Sequence, residues 1–429
     1  MIKDLEQFLD KEIILQAFVD NIRNLQYVAF IILRDASGKI QMTVEKEGND
    51  DLVKIIDELT IESTVKITGK LIKNEKVKLN GMEIIPNKIE ITSKALAELP
   101  IDYKNKDKVL RETRLDYRFL DLRREDNQLL FRCQSYIEHL MREYWFNNNY
   151  TEIHTPKISG SGAESGAEMF KLDYFGKTAY LSQSPQFYKQ MALASGFEKV
   201  FEIGPVFRAE NSHTSYHATE IEMIDVELAW LNSVEEIMDE QEKWLKYVFN
   251  HLTDQYQEQI KQTFNVNLSK IDYDFPRIDF YEVKNILKDQ YQGEKAEDLD
   301  RTEEELIGKY VKEKYNSDFV FITNYPYSAR SFYVMKDKDK TKTYDLLYKG
   351  IEITSGAIRE HRYDVLKNQI IEKGYDPKNF EFYLEFFKYG MPPHGGFGVG
   401  MNRILMRLFE IDNIREATFI YRGPTRLNP

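Results

Sequence analysis

A repeat of period two in apolar residues runs through residues 12–95 and then stops. EIILQAFVDNI, YVAFIILRD, KIQMTVE, STVKITGKLI and MEIIPNKIEIT are rich in β-branched and aromatic residues and often alternate, which predicts half-buried strands. Asp35 to Gly38 (DASG) supplies a turn between two of them. One helical segment, DDLVKIIDEL, separates the third strand from the fourth. Five short strands with a helix at that point fit an OB barrel. Residues 1–95 are therefore expected to be a domain of their own, and the rest must fold by other rules.

Residues 96–125 are polar, dense in charge and poor in strand signals, and read as a hinge. From residue 126 the apolar period becomes helical, beginning with NQLLFRCQSYIEHLMREYWF. Helical patterns recur near 233–263, 303–316 and 401–410, with strands around 204–230 and 318–358. Such a layout predicts an α+β domain over 126–429 rather than an alternating βαβ fold. Neither a GxGxxG nor a GxxxxGK[ST] loop is present, so any nucleotide is held by another device.

Composition narrows the function classes. Cys133 is the single cysteine, which excludes an internal disulfide and a cysteine metal cluster and suits a reducing cytoplasm. No apolar run is long enough to cross a membrane, and the acidic start MIKDLEQFLD is unlike a signal peptide, so a cytoplasmic protein without membrane contact is expected. A net charge of −12 argues against a nucleic-acid coat protein but not against a nucleic-acid enzyme. KLIKNEKVK (70–78) and DYKNKDKVLRETR (102–114) could supply a local basic face, or could simply be solvated surface.

Candidate chemistry falls in four stretches. In GPVFRAENSHTSYHATEIEMIDVELAW (204–230), two apolar runs flank a polar loop. Arg208 stands on the first strand, and Arg208 and Glu210 are two apart and so share one face of it, with His217 and Glu220 across the loop and Asp225 and Glu227 on the second strand. A guanidinium beside a carboxylate can grip phosphate and amine groups together, although a surface hairpin laced with salt bridges has the same pattern. In LSQSPQFYKQ, Gln186 and Lys189 share a helix face, which suits a carboxylate receptor or a snorkelling lysine. In YDLLYKGIEITSGAIREH, Asp345, Glu352 and Ser355 offer oxygen ligands for Mg²⁺, with Arg359 beyond them. In YGMPPHGGFGVGMNRILMRLF, a glycine-rich strand runs into a helix that starts near Arg403 and favours anions, unless the glycines serve only a turn.

Taken in this order, the stretches resemble the class II aminoacyl-tRNA synthetases, and among them the archaeal and eukaryotic-type aspartyl-tRNA synthetases. YTEIHTPKI (150–158) is similar to the first class motif, VFRAEN…HATE to the second and GFGVGMNRIL to the third, with TRLDYRFLDLR (113–123) and RGPTRLNP (422–429) as further likenesses. The resemblance implies an OB-fold anticodon domain and an antiparallel catalytic sheet flanked by helices. It implies an aspartate–tRNA ligase that forms aspartyl-adenylate from ATP with Mg²⁺ and loads aspartate on the 3′-OH of tRNA, as a homodimer.

Residue by residue, it implies that Arg208 clamps the ATP α-phosphate and the aspartate carboxylate and that Arg403 covers adenine or pairs with the γ-phosphate. Glu210 would contact the adenine side and His217 the terminal phosphates, with Ala209, Tyr216, Ala218, Gly400, Met401 and Asn402 also against ATP. Glu352 and Ser355 would hold Mg²⁺ with Asp345 close by; Ser355 would also border the aspartate. Glu164 would receive the α-amino group, and Gln186, Lys189, Asp225 and Arg359 would line the amino-acid pocket. Two cations, Lys189 and Arg359, select aspartate in this reading, because an asparagine amide would leave buried positive charge unpaired at roughly 3–5 kcal/mol. In the barrel, Phe30, Gln41, Glu62 and Ser63 would meet the anticodon by stacking and edge reading.

The sequence departs from that pattern at Tyr216, where an arginine is usual, at Ala163, Ile221, Ile358 and Asn402, and at Tyr421 and Gly423 in the closing run. These changes are compatible with a slower enzyme, a divergent second copy or one insensitive to an inhibitor of the adenylate pocket. Alternatives are an asparaginyl-tRNA synthetase, a paralogue that passes aspartyl-adenylate to a non-tRNA acceptor, and a non-catalytic nucleic-acid-binding protein. Use of tRNA-Asn as well as tRNA-Asp would depend on how the third anticodon base is read, by the 71–88 hairpin or near Arg23–Tyr27.

Overall fold

The computed structural model describes residues 1–160, 168–291 and 293–429. The chain divides into two compact units, Met1–Asp102 and Tyr103–Pro429.

The first unit is a closed barrel of β1 (Glu12–Asn24), β2 (Val28–Asp35), β3 (Gly38–Glu45), β4 (Thr64–Lys73) and β5 (Met82–Ser93), in the order β1-β2-β3-β5-β4. Helix α1 (Asp50–Glu58) lies between β3 and β4, as the sequence predicts. Alternation puts Val19, Ala29, Ile31, Leu33, Ile40, Met42, Leu71 and Ile84 inside, all fully buried. Closure needs sharp strand bends, and the β4–β5 register shifts between Thr68 and Gly69. A Cβ on Gly69 would collide with the Ile85 carbonyl, so glycine is what lets the strands approach there.

The second unit begins with α2 (Arg111–Asp116), α3 (Arg118–Asp121) and α4 (Glu125–Asn147). The stretch expected to be a polar hinge is here partly internal. Asp121 is fully buried and pairs with Arg114, Arg118 and Arg124, while Glu416 also takes Arg114. Part of its charge thus serves a buried ion cluster, while Lys104, Lys106, Asp107, Lys108 and Arg111 stay on an exposed face.

Beyond α4 come β6 (Thr151–Glu152), β7 (Ile158–Ser159), β8 (Lys171–Tyr174), β9 (Lys177–Leu181), α5 (Gln186–Ala194), β10 (Lys199–Phe207), β11 (Glu220–Ala229) and α6 (Val234–Phe264). Then follow β12 (Arg277–Asp279), α7 (Phe280–Leu287), α8 (Arg301–Tyr315), β13 (Phe319–Thr323), β14 (Lys336–Asp337), β15 (Lys340–Thr341), β16 (Thr343–Tyr348) and β17 (Ile351–Ile358). Helices α9 (Tyr363–Glu372) and α10 (Glu381–Phe387), strand β18 (His394–Gly400) and α11 (Met401–Leu408) close the unit.

Among the described residues one sheet has the order β12-β13-β16-β17-β18-β11-β10-β6. Its six inner strands are antiparallel, as expected, but β6 and β12 pair parallel at the two edges. The sheet is therefore mixed: β12 reaches β13 through α7 and α8, a crossover long enough for parallel pairing. Trp145 of α4 stacks on Trp244 of α6 at 5.0 Å, and both are buried with Phe201 and Phe397 of the sheet. Helix α5 packs on β10 and β11, and α11 on β11 and β17, which brings their first turns to the centre of the sheet.

Candidate active site

Asp225 and Glu227 are two apart on β11 and so share one face. Lys189 of α5 is fully buried above them, with Nζ 2.9 Å from Asp225 Oδ1 and 3.2 Å from Glu227 Oε2. Its third proton faces the Val226 carbonyl at 3.4 Å. Arg359, just past β17, donates from Nε to Glu227 Oε1 at 2.9 Å and from Nη2 to Gln186 Oε1 at 3.1 Å. Gln186 donates in turn to Glu227 at 3.3 Å. A Cβ on Gly396 of β18 would overlap the Val226 carbonyl and the Glu227 side chain, so the glycine makes room for the whole cluster.

Burial alone would raise the Glu227 pKa, but Arg359 and Lys189 outweigh it and hold it at about 2. Lys189 and Arg359 thus do not wait unpaired for a substrate carboxylate, which corrects the energetic basis expected for aspartate selection. Two buried cations are balanced by two buried carboxylates, and a ligand must compete with or add to that balance.

These groups form one end of a cavity of about 270 Å³ that Gln186, Arg208, Asp225, Glu352, Arg359 and Arg403 help to line. Glu210, Tyr216, His217, Ala218, Ser355, Gly400 and Asn402 complete much of its wall. Lys189 and Glu227 stand behind it rather than on it. Ala209 and Met401 are likewise not on the wall; Met401 is fully buried. Strand β10 ends at Phe207, so Arg208 and Glu210 sit in the loop beyond it, not on one strand face. Arg208 is fixed through its backbone, N–H to the Thr219 carbonyl at 3.0 Å. The loop returns through His217, whose carbonyl accepts from the Tyr421 hydroxyl at 3.2 Å. Burial lowers the His217 pKa, Glu210 opposes the shift, and Arg403 and Arg208 add to it.

Arg403, in the first turn of α11, donates to the Glu352 carbonyl at 2.8 Å and lies 3.5 Å from its carboxylate. Burial pushes the Glu352 pKa up to about 7, and Asp345 and Glu304 add like charge. Asp345 and Ser355 are register partners across β16 and β17. Asp345 pairs with Arg330 at 2.6 Å, yet its buried Oδ1 has no hydrogen-bond partner among the described residues. Crowded carboxylates with an orphaned oxygen fit a divalent cation. No group of three or more His, Cys, Asp or Glu among the described residues forms a cage by itself. Mg²⁺, which keeps waters and borrows substrate phosphates, suits such an open set. Asn402 turns its amide to the Ala417 carbonyl at 2.9 Å and to Thr418. Glu164 lies outside the described residues.

The barrel carries a separate cavity of about 960 Å³, with Phe30, Gln41, Thr43, Asn74, Lys76 and Glu83 on its wall. Gln41 donates its amide NH₂ to Glu83 at 3.2 Å and to Thr43 at 3.0 Å, which turns its carbonyl end the other way. Glu62 and Ser63 are not on that wall. Glu62 is buried against Arg34 at 2.9 Å, and Ser63 accepts from the Ala95 N–H at 3.0 Å.

Glu83, Glu227 as an anchor for Arg359, and Arg301 with Glu304 beside Glu352 escape a reading of the sequence alone. Glu83 carried one faint signal, a carboxylate within the apolar start, MEIIP, of its strand.

Residues 110–421 match the family of class II tRNA synthetases (D, K and N), and residues 13–92 match an OB-fold nucleic acid binding domain of the tRNA anticodon type. A protein from Pyrococcus abyssi named aspartate–tRNA(Asp) ligase is 42% identical over 99% of this chain and 98% of its own length. One from Aeropyrum pernix named aspartate–tRNA(Asp/Asn) ligase is 40% identical over 95% of this chain and 93% of its own. A putative aspartyl-tRNA synthetase from Leishmania major superposes with a TM-score of 0.89 at 31% identity, covering 99% of this chain and 94% of that one. Asparaginyl-tRNA synthetase from Pyrococcus horikoshii, complexed with asparaginyl-adenylate, matches with a TM-score of 0.89 at 31% identity, over 99% of this chain and 97% of that one. With both domains matched in their expected order, the chain belongs to the class II tRNA synthetases of the D, K and N group.

Proposed function

We propose that this protein is an aspartate–tRNA ligase, active as a homodimer in the cytoplasm. The observation that carries aspartate is the buried Lys189–Glu227–Arg359 cluster at one end of the cavity. Arg359 meets the substrate side-chain carboxylate on the cavity wall. Asp225, also on that wall, turns toward the substrate ammonium and frees a proton of Lys189 for the same carboxylate. A neutral asparagine amide cannot draw on that exchange, since it brings no charge to compensate the loosened Lys189 pair.

Arg208 holds the ATP α-phosphate beside the amino-acid α-carboxylate, and Arg403 with His217 holds the terminal phosphates. A carboxylate oxygen attacks the α-phosphorus in line, the bond to the bridging oxygen breaks, and pyrophosphate leaves with the electron pair. Positioning and charge neutralisation by the two arginines supply the rate. Glu352, Ser355 and Asp345 are the residues that would hold Mg²⁺; when bound, it offsets phosphate charge. The 3′-OH of tRNA then attacks the carbonyl carbon and AMP leaves. Phe30 and Gln41 take anticodon bases in the barrel cavity.

Because relatives named Asp/Asn ligases, at 40% identity, are nearly as similar as those named Asp ligases, at up to 42%, charging of tRNA-Asn with aspartate is the second reading. Purified tRNA-Asp and tRNA-Asn, each offered aspartate and asparagine, test both. Aspartate on tRNA-Asp is expected; asparagine charging without aspartate charging would sink the proposal. Lys189→Ala is expected to abolish aspartate-dependent pyrophosphate exchange while ATP still binds. Sedimentation of the purified protein as a monomer would remove the dimer.

A further inference from the structure

Behind the amino-acid end of the cavity, β11 and β18 pair with a regular cross-strand pattern. Asp225 faces Gly398, Glu227 faces Gly396 and Ala229 faces His394. The three pairs are spaced by two residues and so belong to one face of the sheet. A Cβ on Gly398 or Gly396 would press on Asp225 or Glu227. At the third pair the pattern inverts, and a full imidazole stands opposite a small alanine. His394 is fully buried, and Gln190 of α5 and Tyr383 of α10 are buried with it.

These three side chains form a directed chain. The Tyr383 hydroxyl donates to Gln190 Oε1 at 3.0 Å. Gln190 Nε2 lies 2.7 Å from His394 Nε2, and His394 Nδ1 lies 2.8 Å from the Pro392 carbonyl. A carbonyl can only accept, so Nδ1 carries the proton and Nε2 accepts from the amide. Burial lowers the His394 pKa to about 4 against the pull of Glu227, so the ring is neutral at pH 7. The surroundings are aromatic: Phe187 lies 4.2 Å from the Tyr383 ring and Phe387 6.3 Å from the His394 ring. Apolar contacts fill that space without fixing a direction, whereas hydrogen bonds fix one.

The direction matters because of what α5 carries. Gln190 follows Lys189 and stands one turn beyond Gln186, so holding its amide fixes the helix face that bears both. On its other side, the His394 carbonyl accepts from the Arg359 N–H at 2.9 Å. One residue thus touches both elements that bring the pocket its cations, yet it does not line the cavity.

We infer that His394 is a positioning residue of the amino-acid pocket, whose ring acts through Gln190 to set the rotation of α5 and so the placement of Lys189 and Gln186. The inference rests on the aspartate reading above.

The test is aspartate-dependent pyrophosphate exchange by the full chain, with aspartate and ATP varied in turn. His394→Leu fills the space without either ring nitrogen. It is expected to raise the KM for aspartate about tenfold, with kcat and the KM for ATP within about threefold. Two further variants separate the two links of the ring. His394→Gln can place its amide oxygen where Nε2 stands and still accept from Gln190, so the KM for aspartate is expected to return to within about threefold of wild type. His394→Asn reaches only to the place of Nδ1, keeps the Pro392 bond alone and is expected to behave like His394→Leu. Gln190→Met is close in volume and breaks the chain in the middle; it is expected to raise the same KM about tenfold, and it decides the matter should the histidine variants not fold. An unmoved aspartate KM in Gln190→Met overturns the inference, as does equal recovery by glutamine and asparagine at 394. A parallel rise in the KM values for aspartate and ATP also overturns it, marking the chain as a brace of the fold. Wild-type protein with no aspartate-dependent exchange would remove the aspartate reading instead.

Discussion

Glu227 in the catalytic sheet and Glu83 in the barrel are both buried carboxylates that fix a side chain of a cavity, but their partners differ. Glu227 takes two charged donors, Lys189 and Arg359, and a neutral one, Gln186. Glu83 takes only neutral donors, Gln41, Thr43 and Asn74. In the first case four full charges are locked in low dielectric, where removing one leaves the others uncompensated at about 3–5 kcal/mol. In the second, a lost donor costs one hydrogen bond to a charged group, about 1.5–3 kcal/mol. One arrangement suits a site that must tell a carboxylate from an amide. The other suits a site that reads base edges and must let go of its RNA.

The difference breaks most sharply at Glu227. Glu227→Gln keeps the shape and removes one charge, leaving Lys189 and Arg359 with Asp225 alone. Aspartate-dependent exchange is expected to fall by about a thousandfold, because the excess positive charge misplaces Arg359. Binding of tRNA, measured by filter retention, is expected to stay within about twofold. If exchange survives in the variant, the charge balance is not what sets the pocket.

Acid sharpens the same contrast. The folded pKa of Glu227 lies below its ordinary value, at about 2 against 4.5, so its contribution is complete above the ordinary carboxylate range and drains away as pH falls from 4.5 toward 2. The amount at stake is on the order of 3 kcal/mol. Glu416 adds to the same window: burial would raise its pKa, and Arg114 with Arg111 brings it to about 2. All three tryptophans, Trp145, Trp230 and Trp244, belong to the catalytic unit, so their fluorescence reports that unit alone. Stability of the unit to urea is expected to fall steeply across that window. A flat profile there would mean that Glu227 and Glu416 are paired as strongly in the unfolded chain.

How much of this the sequence disclosed follows from the range of each interaction. The barrel was legible, because period-two alternation is local and the helix between its third and fourth strands breaks it visibly. Gln186 and Lys189 were legible as neighbours on one helix turn. The glycine-rich strand before Arg403 was legible because backbone crowding there excludes a side chain. The pairing of Glu227 with Arg359 was not, since 132 residues separate them and only the sheet order joins them. Arg208 was placed on a strand that in fact ends at Phe207, a one-residue matter that propensity does not resolve. Glu62 was set among the anticodon readers, but it sits at φ +70° with its carboxylate drawn in by Arg34, a long-range pair again. Asp121 and its three arginines look like solvated charge until the fold buries them.

On the barrel side, Gln41→Ala removes the proposed edge reader while leaving Glu83 its other two donors. The KM for tRNA is expected to rise about tenfold to a hundredfold, as for loss of one base contact, with aspartate-dependent exchange unchanged. Exchange needs no tRNA, so a fall there would contradict the separation of tasks between the two units.

Glu83→Gln is the smallest change and tests how Gln41 is aimed. Glu83 offers only acceptors, so Gln41 must present its NH₂ to it, which leaves its carbonyl for the base in the proposed reading. A glutamine at position 83 can donate as well as accept. Gln41 can then turn over, offering NH₂ to the base instead of oxygen, at nearly equal energy. The KM for the cognate tRNA is expected to rise only about threefold, less than in Gln41→Ala, because a partner remains for every donor. The signature is in selectivity. A tRNA whose anticodon base presents an acceptor where the cognate base presents a donor is expected to gain relative to the cognate, and the double variant with Gln41→Ala is expected to lose that gain. Equal losses for every anticodon tested would mean that Glu83 holds the strand and not the amide.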